Sequence, residues 1–221
     1  MTETVTRTST RHAGLDRDDV IDAALALVEE GGADALSMRR LASELGVTTT
    51  TIYWHAGSRD ELVIALIQRL AERQAHAVVR GRTPADRVRS AARNIWRNAR
   101  EHRNVTALAS QVGATTLLEL PLEAALVAEL DAAGIRGDAA RDALRSILAC
   151  IAGFLVLAWR SDARVPETLR ASALWAGVDD PAISEATRAA LARPPDVDAL
   201  FETTITAVVA AHVAPEGKGR R

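Results

Sequence analysis

The sequence predicts an all-α fold, with an N-terminal three-helix domain followed by a larger helical C-terminal region. Apolar residues recur at spacings of three and four along most of the chain, strand-like alternation is scarce, and glycine or proline separates the periodic segments. The 221 residues are 48% hydrophobic and 25% charged, which is ordinary usage for a globular protein. A chain of this length and composition can bury a core, so intrinsic disorder is excluded.

Composition also excludes several classes of function. The formal net charge is −2, so no overall basic field draws the chain onto nucleic acid, and any DNA contact must be local. The single cysteine, Cys150, cannot form an intramolecular disulfide, and the five histidines show no metal-ligand spacing. The sequence lacks a phosphate-binding glycine loop and a nucleophile elbow. We therefore predict no catalytic residue, no metal site and no cofactor, and hence no enzyme.

The longest uncharged run bears on membrane insertion. Ser146 to Trp159 has 14 residues, fewer than the roughly 20 of a membrane-spanning helix, and it predicts instead a helix buried on two faces. Residues 1–14 lack the apolar segment of a signal peptide. We expect a cytoplasmic protein with a flexible N-terminal arm at 1–14 and a flexible tail at 214–221.

Local capping patterns predict the first three helices. Asp16 precedes an apolar face, with a second aspartate three residues later, which is a capping box. Gly31 and Gly32 end that helix. Ser37 and Thr48 are in N-cap positions of a second and a third helix, each preceded by an apolar residue that can pack one turn later.

Capping and periodicity also predict the later helices. Ser58 and Glu61 form another capping box, which begins a fourth helix expected to end near Val79, and Pro84 begins a fifth. Further helices are predicted over 105–113, 121–133, 139–161, 166–176, 181–193 and 197–213. The arginines of the fifth helix are most simply interpreted as a face exposed to solvent, and the alternative is a surface that binds nucleic acid or a membrane. They are Arg87, Arg89, Arg93, Arg97, Arg100 and Arg103.

Residues 38–55 have the pattern of two helices joined by a tight turn. Ala42 lies where the helices cross, and Gly46 lies where the turn needs a positive φ, which costs roughly 1 kcal/mol for a residue with a Cβ. This is the helix-turn-helix arrangement. The second helix has poor intrinsic propensity because it contains the four threonines 48–51, so packing must stabilise it.

The second of these helices offers a surface rich in hydrogen-bond donors. Its threonine, tyrosine, tryptophan and histidine side chains can contact phosphate oxygens or base edges. Residues 37–59 contain three arginines and one glutamate (+2), whereas residues 16–30 contain one arginine and six acids (−5), so the basic charge is concentrated at the helix-turn-helix. Spacing alone leaves both DNA contact and plain solvation open for Arg39 and Arg40.

Three stretches carry a resemblance to a known family: 36–47 (LSMRRLASELGV), 52–55 (IYWH) and 57–62 (GSRDEL). In combination they resemble the N-terminal domain of the tetracycline-repressor (TetR) family of bacterial transcriptional regulators, over about residues 15–70. Two features depart from the family pattern. Ala56 stands where the family commonly has a larger apolar residue, and the four consecutive threonines are not a recognisable signature for one operator, so they do not predict the target DNA sequence.

The resemblance implies an all-helical homodimer that binds double-stranded DNA at a palindromic operator. It implies a DNA-binding domain at 15–62 and a ligand-binding and dimerisation domain at 63–213, with an effector that releases the DNA. It also implies that Arg59 takes the phosphate-binding place usually held by lysine. The expected DNA contacts are Ser37, Arg39, Arg40, Thr48, Thr49, Thr50, Thr51, Tyr53, Trp54, His55 and Arg59.

The C-terminal region holds five of the aromatic residues, which suit either a ligand pocket or a core. For any single tryptophan, core packing is the favoured interpretation. The candidate ligand contacts are Trp96, Asn98, His102, Phe154 and Trp175. We expect a small, largely apolar effector.

Two C-terminal helices have more apolar surface than a single chain needs. Strips of small residues would allow a second copy to approach closely, as in the four-helix dimer interface of the resembled family; burial within a monomer is the alternative. The candidate interface residues are Ala149, Gly153, Val156, Thr203, Ala207 and Ala210.

Together these patterns favour a ligand-responsive DNA-binding regulator, with a repressor as the expected mode. Two copies of the recognition helix would enter successive major grooves of a palindrome, and the effector would change their separation. The alternative is a small-molecule binding or interaction protein whose helix-turn-helix does not read DNA.

Overall fold

The computed structural model describes residues 14–162, Pro166 and residues 170–213. Within these residues the chain forms eleven α-helices and one short 3-10 turn, and no strand, which confirms the all-α prediction. Most of the predicted N-terminal arm and all of the predicted tail, 214–221, lie outside the described residues.

The helices belong to two compact units. The first unit comprises Met1–Ala77 and Asn98–Leu122, so it extends beyond the predicted DNA-binding domain; the second comprises Val78–Arg97 and Glu123–Arg221. The helices wholly in the first unit are α1 (Arg17–Gly31), α2 (Met38–Leu45), α3 (Thr49–Ala56), α4 (Arg59–Gln74) and α6 (Arg103–Gln111). The helices shared by both units are α5 (Pro84–Glu101) and α7 (Thr115–Ala132). The helices of the second unit are α8 (Asp138–Asp162), α9 (Ala171–Ala176), α10 (Glu185–Leu191) and α11 (Val197–His212).

Helix α1 is the centre of the first unit, because it packs against α2, α3, α4 and α6. Its residues Val20, Ala24 and Val28 are completely buried, and they share one apolar core with Leu41 of α2 and Ile52 of α3. The helix begins as predicted, with a reciprocal capping box at its first turn.

The first turn of α4 follows directly from α3 through a tight cap. The Ser58 hydroxyl accepts the Glu61 N–H at 3.2 Å, and the Glu61 carboxylate accepts the Ser58 N–H at 2.7 Å, which confirms this capping box. The hydrogen bond that the Ser58 N–H donates to the carboxylate is the main reason why the pKa of Glu61 is lowered. Gly57 has φ +71°, and a Cβ there would meet the Glu61 carboxylate, so only glycine fits before the cap.

Among the longer helices, two boundaries differ from the sequence prediction by more than two residues. Helix α4 ends at Gln74 rather than near Val79, because the chain turns there and the Ala77 N–H bonds the Gln74 carbonyl at 3.0 Å. Helix α7 begins at Thr115 and contains Pro121, which was predicted to start it. Proline removes one backbone donor, and the helix continues through it because buried leucines before and after that position hold it in place.

The two short helices of the second unit also differ from prediction. Helices α9 and α10 cover less than the predicted 166–176 and 181–193. Helix α10 begins late because Ser184 caps it, accepting the Thr187 N–H at 3.2 Å. Residues 163–165 and 167–169, near the predicted start of α9, lie outside the described residues.

An aromatic cluster forms part of the core of the second unit. The rings of Trp96 and Phe201 stack with centroids 4.6 Å apart, and Phe154 lies edge-on to them at 6.3 Å and 5.6 Å. The Trp96 indole N–H donates to Asp198 at 3.4 Å, which fixes the ring orientation. The cluster joins α5, α8 and α11.

Helix α8 has one buried and one exposed apolar face. It packs against α11, and Ile147, Ile151 and Leu155 are buried, whereas Val156 is 53% exposed. The prediction of burial on two faces is therefore wrong for the single chain. By length and composition alone Asp138–Trp159 could cross a membrane, with a mean hydropathy of 1.7, but a single helix of this kind is weak evidence for a membrane span.

Several arginines of α5 form ion pairs within the second unit. Arg87 Nε lies 2.7 Å from Glu129 of α7, and Arg93 Nε lies 2.7 Å from Glu202 of α11. The Glu202 carboxylate raises the pKa of Arg93 by accepting its hydrogen bonds. These arginines therefore connect helices of one chain, which favours a structural role over a nucleic-acid or membrane surface.

The aromatic cluster predicts a large cost for removing its central ring. Phe201→Ala should lower the free energy of unfolding by about 3–5 kcal/mol, because Phe201 is 1% exposed and its loss leaves a cavity. Urea titration of both proteins measures the difference. Leu191→Ala, at a 41% exposed leucine, is the matched control and should change stability by no more than about 0.5 kcal/mol. Equal effects would contradict this account of the core.

The α4 cap predicts a pH-dependent loss of stability. At pH 7, Ser58→Ala should lower the free energy of unfolding by about 1 kcal/mol through the lost cap. Because the folded-state pKa of Glu61 lies below its ordinary value of 4.5, the stability linked to it is present above that value and is lost as pH falls through the folded pKa. Glu61→Ala, which removes the titrating carboxylate, should therefore differ from wild type less in acid than at pH 7, whereas Ser58→Ala keeps the backbone N–H that donates to this carboxylate. Urea titrations at pH 7 and at acidic pH test this, and a Glu61→Ala difference that does not change with pH would count against the capping box.

Candidate nucleic-acid interface

The turn between α2 and α3 sets the geometry of the helix-turn-helix. Gly46 adopts φ +68° and ψ +30°, and its N–H bonds the carbonyls of Ala42 and Ser43. The Val47 N–H bonds the Ala42 carbonyl at 3.0 Å, which closes the end of α2. A Cβ at Gly46 would meet nothing within 4 Å, so the backbone angle alone requires glycine there.

Helix α3 is held by a cap and by two buried side chains. The Thr48 hydroxyl accepts the Thr51 N–H at 3.2 Å and lies 2.9 Å from the Thr51 hydroxyl. Ile52 is completely buried and Ala56 is 5% exposed, so the small alanine also belongs to the core. The predicted helix is thus present despite its poor propensity, because cap and core compensate for it.

The opposite face of α3 projects large polar-aromatic side chains into solvent. Tyr53 is 51% exposed and Trp54 is 80% exposed, and Thr50 lies one turn earlier on the same exposed face. The rings of Trp54 and His55 meet edge to face with centroids 4.6 Å apart. Exposed aromatic residues of this size are uncommon on a surface with no partner. Thr49 is half-buried, at the margin of this face.

The start of α2 adds donors beside this face. The Ser37 hydroxyl caps the helix by accepting the Arg40 N–H at 3.1 Å. Arg39 and Arg40 are both exposed. Ser37 is therefore the N-cap of α2, as predicted. The guanidinium groups of Arg39 and Arg40 belong to the exposed first turn of this helix.

Arg59 bonds the protein itself. Its Nε donates to the Leu36 carbonyl at 3.4 Å, and its Nη2 donates to the Ala33 carbonyl at 3.5 Å. Both bonds are long, and the side chain is exposed. Arg59 thus links the start of α4 to the connection between α1 and α2.

An ion-pair ladder that was not predicted from the sequence joins α1 and α4. Arg69 pairs with Asp18 and, at 3.5 Å, with Asp22, and Arg73 pairs with Asp22 at 2.9 Å. The acids are four residues apart on one helix and the arginines four apart on the other, so the signal was a matching pair of i, i+4 spacings. The ladder offsets part of the negative charge counted over residues 16–30.

A concave surface lies beside α3 in the same unit. Its cavity volume is about 960 Å³, and its wall includes Asp19, Asp22 and Glu44 as well as Trp54 and His55. Acidic groups and candidate DNA contacts therefore both line this cavity. The acids belong to α1 and α2, whereas both aromatic residues belong to α3.

The predicted ligand contacts are only partly brought together. Trp96 and Phe154 meet in the aromatic cluster described above. His102 lies instead in the first unit, where its Nδ1 is 2.7 Å from the Glu29 carboxylate of α1. Asn98 and Trp175 are both half-buried. The partner of the His102 side chain is therefore Glu29, which is distant in the sequence and could not be predicted from helical periodicity.

The predicted interface residues lie on the exposed surface of the second unit. All six are exposed to solvent, and they lie on α8 and α11, two helices that pack against each other. The exposed residues are Ala149, Gly153, Val156, Thr203, Ala207 and Ala210. The Thr203 hydroxyl bonds the Ala199 carbonyl at 3.0 Å, so its polar group is satisfied within the helix.

Comparisons with known proteins place the helix-turn-helix in a family. Residues 20–66 match the family model described as bacterial regulatory proteins, tetR family. Over 54 residues the chain is 48% identical to the class D tetracycline repressor protein of Escherichia coli, covering 24% of this chain and 25% of that protein. Over 67 residues it is 43% identical to the class A repressor from transposon 1721, covering 30% and 31%. The matches thus span between a quarter and a third of these curated relatives.

Solved structures resemble the chain over nearly its whole length. The transcriptional regulator SCO7222, a TetR from Streptomyces coelicolor, superposes with a TM-score of 0.71 at 25% identity, covering 91% of this chain and 99% of that one. Apo ActR from the same organism gives a TM-score of 0.70 at 22% identity, covering 91% and 96%. Residues 20–66 therefore form an N-terminal domain of the tetR family, and the chain as a whole has the all-helical fold of these solved structures.

Proposed function

We propose that this protein is a ligand-responsive DNA-binding regulator of transcription, acting as a repressor that a small effector releases from a palindromic operator. The observation that carries the proposal is the exposed face of α3, where Tyr53 and Trp54 project from a helix whose other face is buried. A rigid helix with exposed donors is what readout of a major groove requires.

The proposed DNA contacts divide by chemistry. Arg39, Arg40 and the Tyr53 hydroxyl can donate to phosphates or base edges, and the exposed methyl of Thr50 suits a thymine methyl. Thr48 and Thr51 use their hydroxyls within the cap, so we propose that they contribute through methyl contact or a shared bond to phosphate.

Arg59 is proposed to exchange partners on binding. Its two bonds to backbone carbonyls are long, whereas a bond to a phosphate would be charge-assisted and shorter. The position at the first turn of α4 also favours an anion, because the helix N-terminus carries partial positive charge.

The proposal that this protein binds an effector is supported by structurally similar proteins and by the aromatic residues of its second unit. One solved structure of ActR holds actinorhodin, and a TetR variant from Acinetobacter baumannii holds minocycline; these share 22% and 20% identity with this chain. We propose a small, largely apolar effector here. Support comes from the meeting of two candidate ligand contacts, Trp96 and Phe154, in one aromatic cluster with Phe201, since aromatic side chains are common in the lining of ligand sites.

We further propose that two copies form a dimer through α8 and α11. Support comes from the exposed small and apolar residues on both helices, including Gly153, where a Cβ would meet nothing within 4 Å. A second copy would cover the face of α8 that the single chain leaves exposed, and two recognition helices would then match a palindrome.

The proposal assigns no catalytic chemistry and a cytoplasmic location. Burial raises the pKa of the Cys150 thiol, which disfavours its reactive thiolate form. The alternative, a helix-turn-helix that does not read DNA, predicts no difference between DNA sequences and is tested by the same variants.

Two substitutions on the exposed face test the DNA-contact residues. Arg39→Ala should weaken binding to the protein's own upstream DNA by about 1–3 kcal/mol, or roughly 5- to 150-fold. Tyr53→Phe should cost about 1 kcal/mol through one lost hydrogen bond. Fluorescence anisotropy with labelled DNA measures both affinities.

Arg136→Ala is the matched control, since Arg136 is an exposed arginine in the second unit and its loss changes net charge equally. It should leave affinity close to that of wild type. Unchanged binding by Arg39→Ala and Tyr53→Phe, with circular dichroism of wild-type strength, would refute the contact assignments.

One substitution tests the dimer face. Wild type should sediment at about twice the chain mass of 23.6 kDa at micromolar concentration. Gly153→Arg should raise the dimer dissociation constant by at least about 100-fold, because the interface would bury the unpaired charge of the arginine. The fold of the monomer should be retained, because arginine has a higher helix propensity than glycine. Ala190→Arg, at an exposed position of α10, should leave the dimer intact. A monomeric wild type would remove the case for a palindrome.

A further inference from the structure

The cavity beside α3 combines carboxylates with apolar and aromatic side chains. Besides the three acids and two aromatic rings named above, its wall includes Leu15, Leu45 and Val47. All of its lining residues belong to the first unit. Its volume of about 960 Å³ is in the range of protein cavities that hold a ligand. Such a wall suits an occupant that offers both positive charge and apolar carbon, as an arginine side chain does.

Only one of the three carboxylates in this wall lacks a partner among the described residues. Asp19 belongs to the capping box of α1, and Asp22 pairs with Arg73 at 2.9 Å. In contrast, no hydrogen bond or ion pair joins the exposed carboxylate of Glu44 to another described residue. Glu44 lies on α2, within the helix-turn-helix, where a free negative charge repels DNA phosphates. A cation from outside the described residues would neutralise it.

The Trp54 ring adds a second attraction for a cation in the same wall. Trp54 is 80% exposed, more than any other large apolar side chain in the part of the chain described. A guanidinium group is planar and has five N–H donors, so it can stack on an indole ring and bond a carboxylate at the same time. Trp54 and Glu44 line one cavity and therefore present these two complementary groups to an arginine.

The chain itself supplies arginine at this place. Gly14, the first described residue, lies in the cavity wall, so the N-terminal segment of residues 1–13 is joined to the chain there. This segment contains two arginines, Arg7 and Arg11, and one acid. Three residues of extended chain span at most about 11 Å, so Arg11 stays close to the wall, whereas Arg7 can lie up to about 25 Å away.

We propose that the N-terminal segment docks into this cavity and places the guanidinium of Arg11 between the Glu44 carboxylate and the Trp54 ring. Because the segment is attached at the wall, its effective concentration at the cavity is high, and a contact of low intrinsic affinity is sufficient. The docked segment covers Trp54 and His55, which are proposed DNA contacts. It is therefore an autoinhibitory contact that DNA must displace. This regulatory role rests on the proposed function, whereas the docking itself does not.

The indole N–H resonances test the docking without DNA. The chain has four tryptophans, and Trp54→Phe identifies the Trp54 signal in a ¹H–¹⁵N spectrum. Deletion of residues 2–12, and Arg11→Gln in the full chain, should each move this signal in the same direction, while the signal of the buried Trp96 stays in place. Raising the salt concentration of the wild type from about 0.05 to 0.5 M should move the Trp54 signal the same way, because salt screens exposed charges.

DNA affinity tests the regulatory consequence. In fluorescence anisotropy with labelled upstream DNA, deletion of residues 2–12 should raise the affinity about three- to tenfold, because the apparent affinity is reduced by the fraction of molecules whose binding face is covered. Arg11→Gln should give part of this gain. Arg17→Gln is the matched control, at an exposed arginine of α1 outside the cavity wall, and should give no gain and leave the Trp54 signal in place.

Each failure has a separate meaning. A Trp54 signal that does not move after the deletion would overturn the docking, and one that does not move in Arg11→Gln alone would overturn the role of Arg11. Unchanged DNA affinity after the deletion would overturn the autoinhibitory role, and weaker affinity would show that the segment contacts DNA instead. Since the spectra contain no DNA, absence of DNA binding by every variant would refute the proposed function and leave the docking test intact. Thermal unfolding of each variant verifies that its fold is retained.

Discussion

The recognition helix α3 is too short to be stable alone, and the first unit depends on the packing that holds it. An isolated helix of 8 residues does not persist in water, and this one contains three threonines that lower its propensity further. Its stability comes from the complete burial of Ile52 against the core around α1 and from the cap at Thr48. Because the buried face is fixed, the opposite face is fixed as well, and that face carries Tyr53 and Trp54.

Polar interactions then orient the elements around this core. The ladder of Arg69 and Arg73 with Asp18 and Asp22 ties α4 to α1, while Arg59 ties the start of α4 to the connection before α2. Such surface pairs are individually weak, but they are added to a buried interface and select one arrangement of it. A displacement of α4 or α6 would be transmitted to α3 through α1, because α1 packs against all three helices.

Local features of this fold were predictable from sequence, and long-range ones were not. The four caps at Asp16, Ser37, Thr48 and Ser58 were found because a cap and its partner lie three residues apart. The continuation of α7 through a proline depends on packing, which no local rule contains. The pairing of His102 with Glu29, 73 residues apart, is likewise a property of the folded chain. Family resemblance supplied the DNA-contact residues, and the structure adds which of them are exposed.

The most direct test of the central claim is a titration of the purified protein against DNA from its own upstream region and against unrelated DNA, each at several salt concentrations. Salt dependence separates attraction to the phosphate backbone from readout of base sequence. The account predicts that the upstream DNA binds at least roughly 10³-fold more tightly, with the preference retained as salt rises. Equal, weak binding of both DNAs at every salt concentration would contradict the claim that the exposed face of α3 reads sequence.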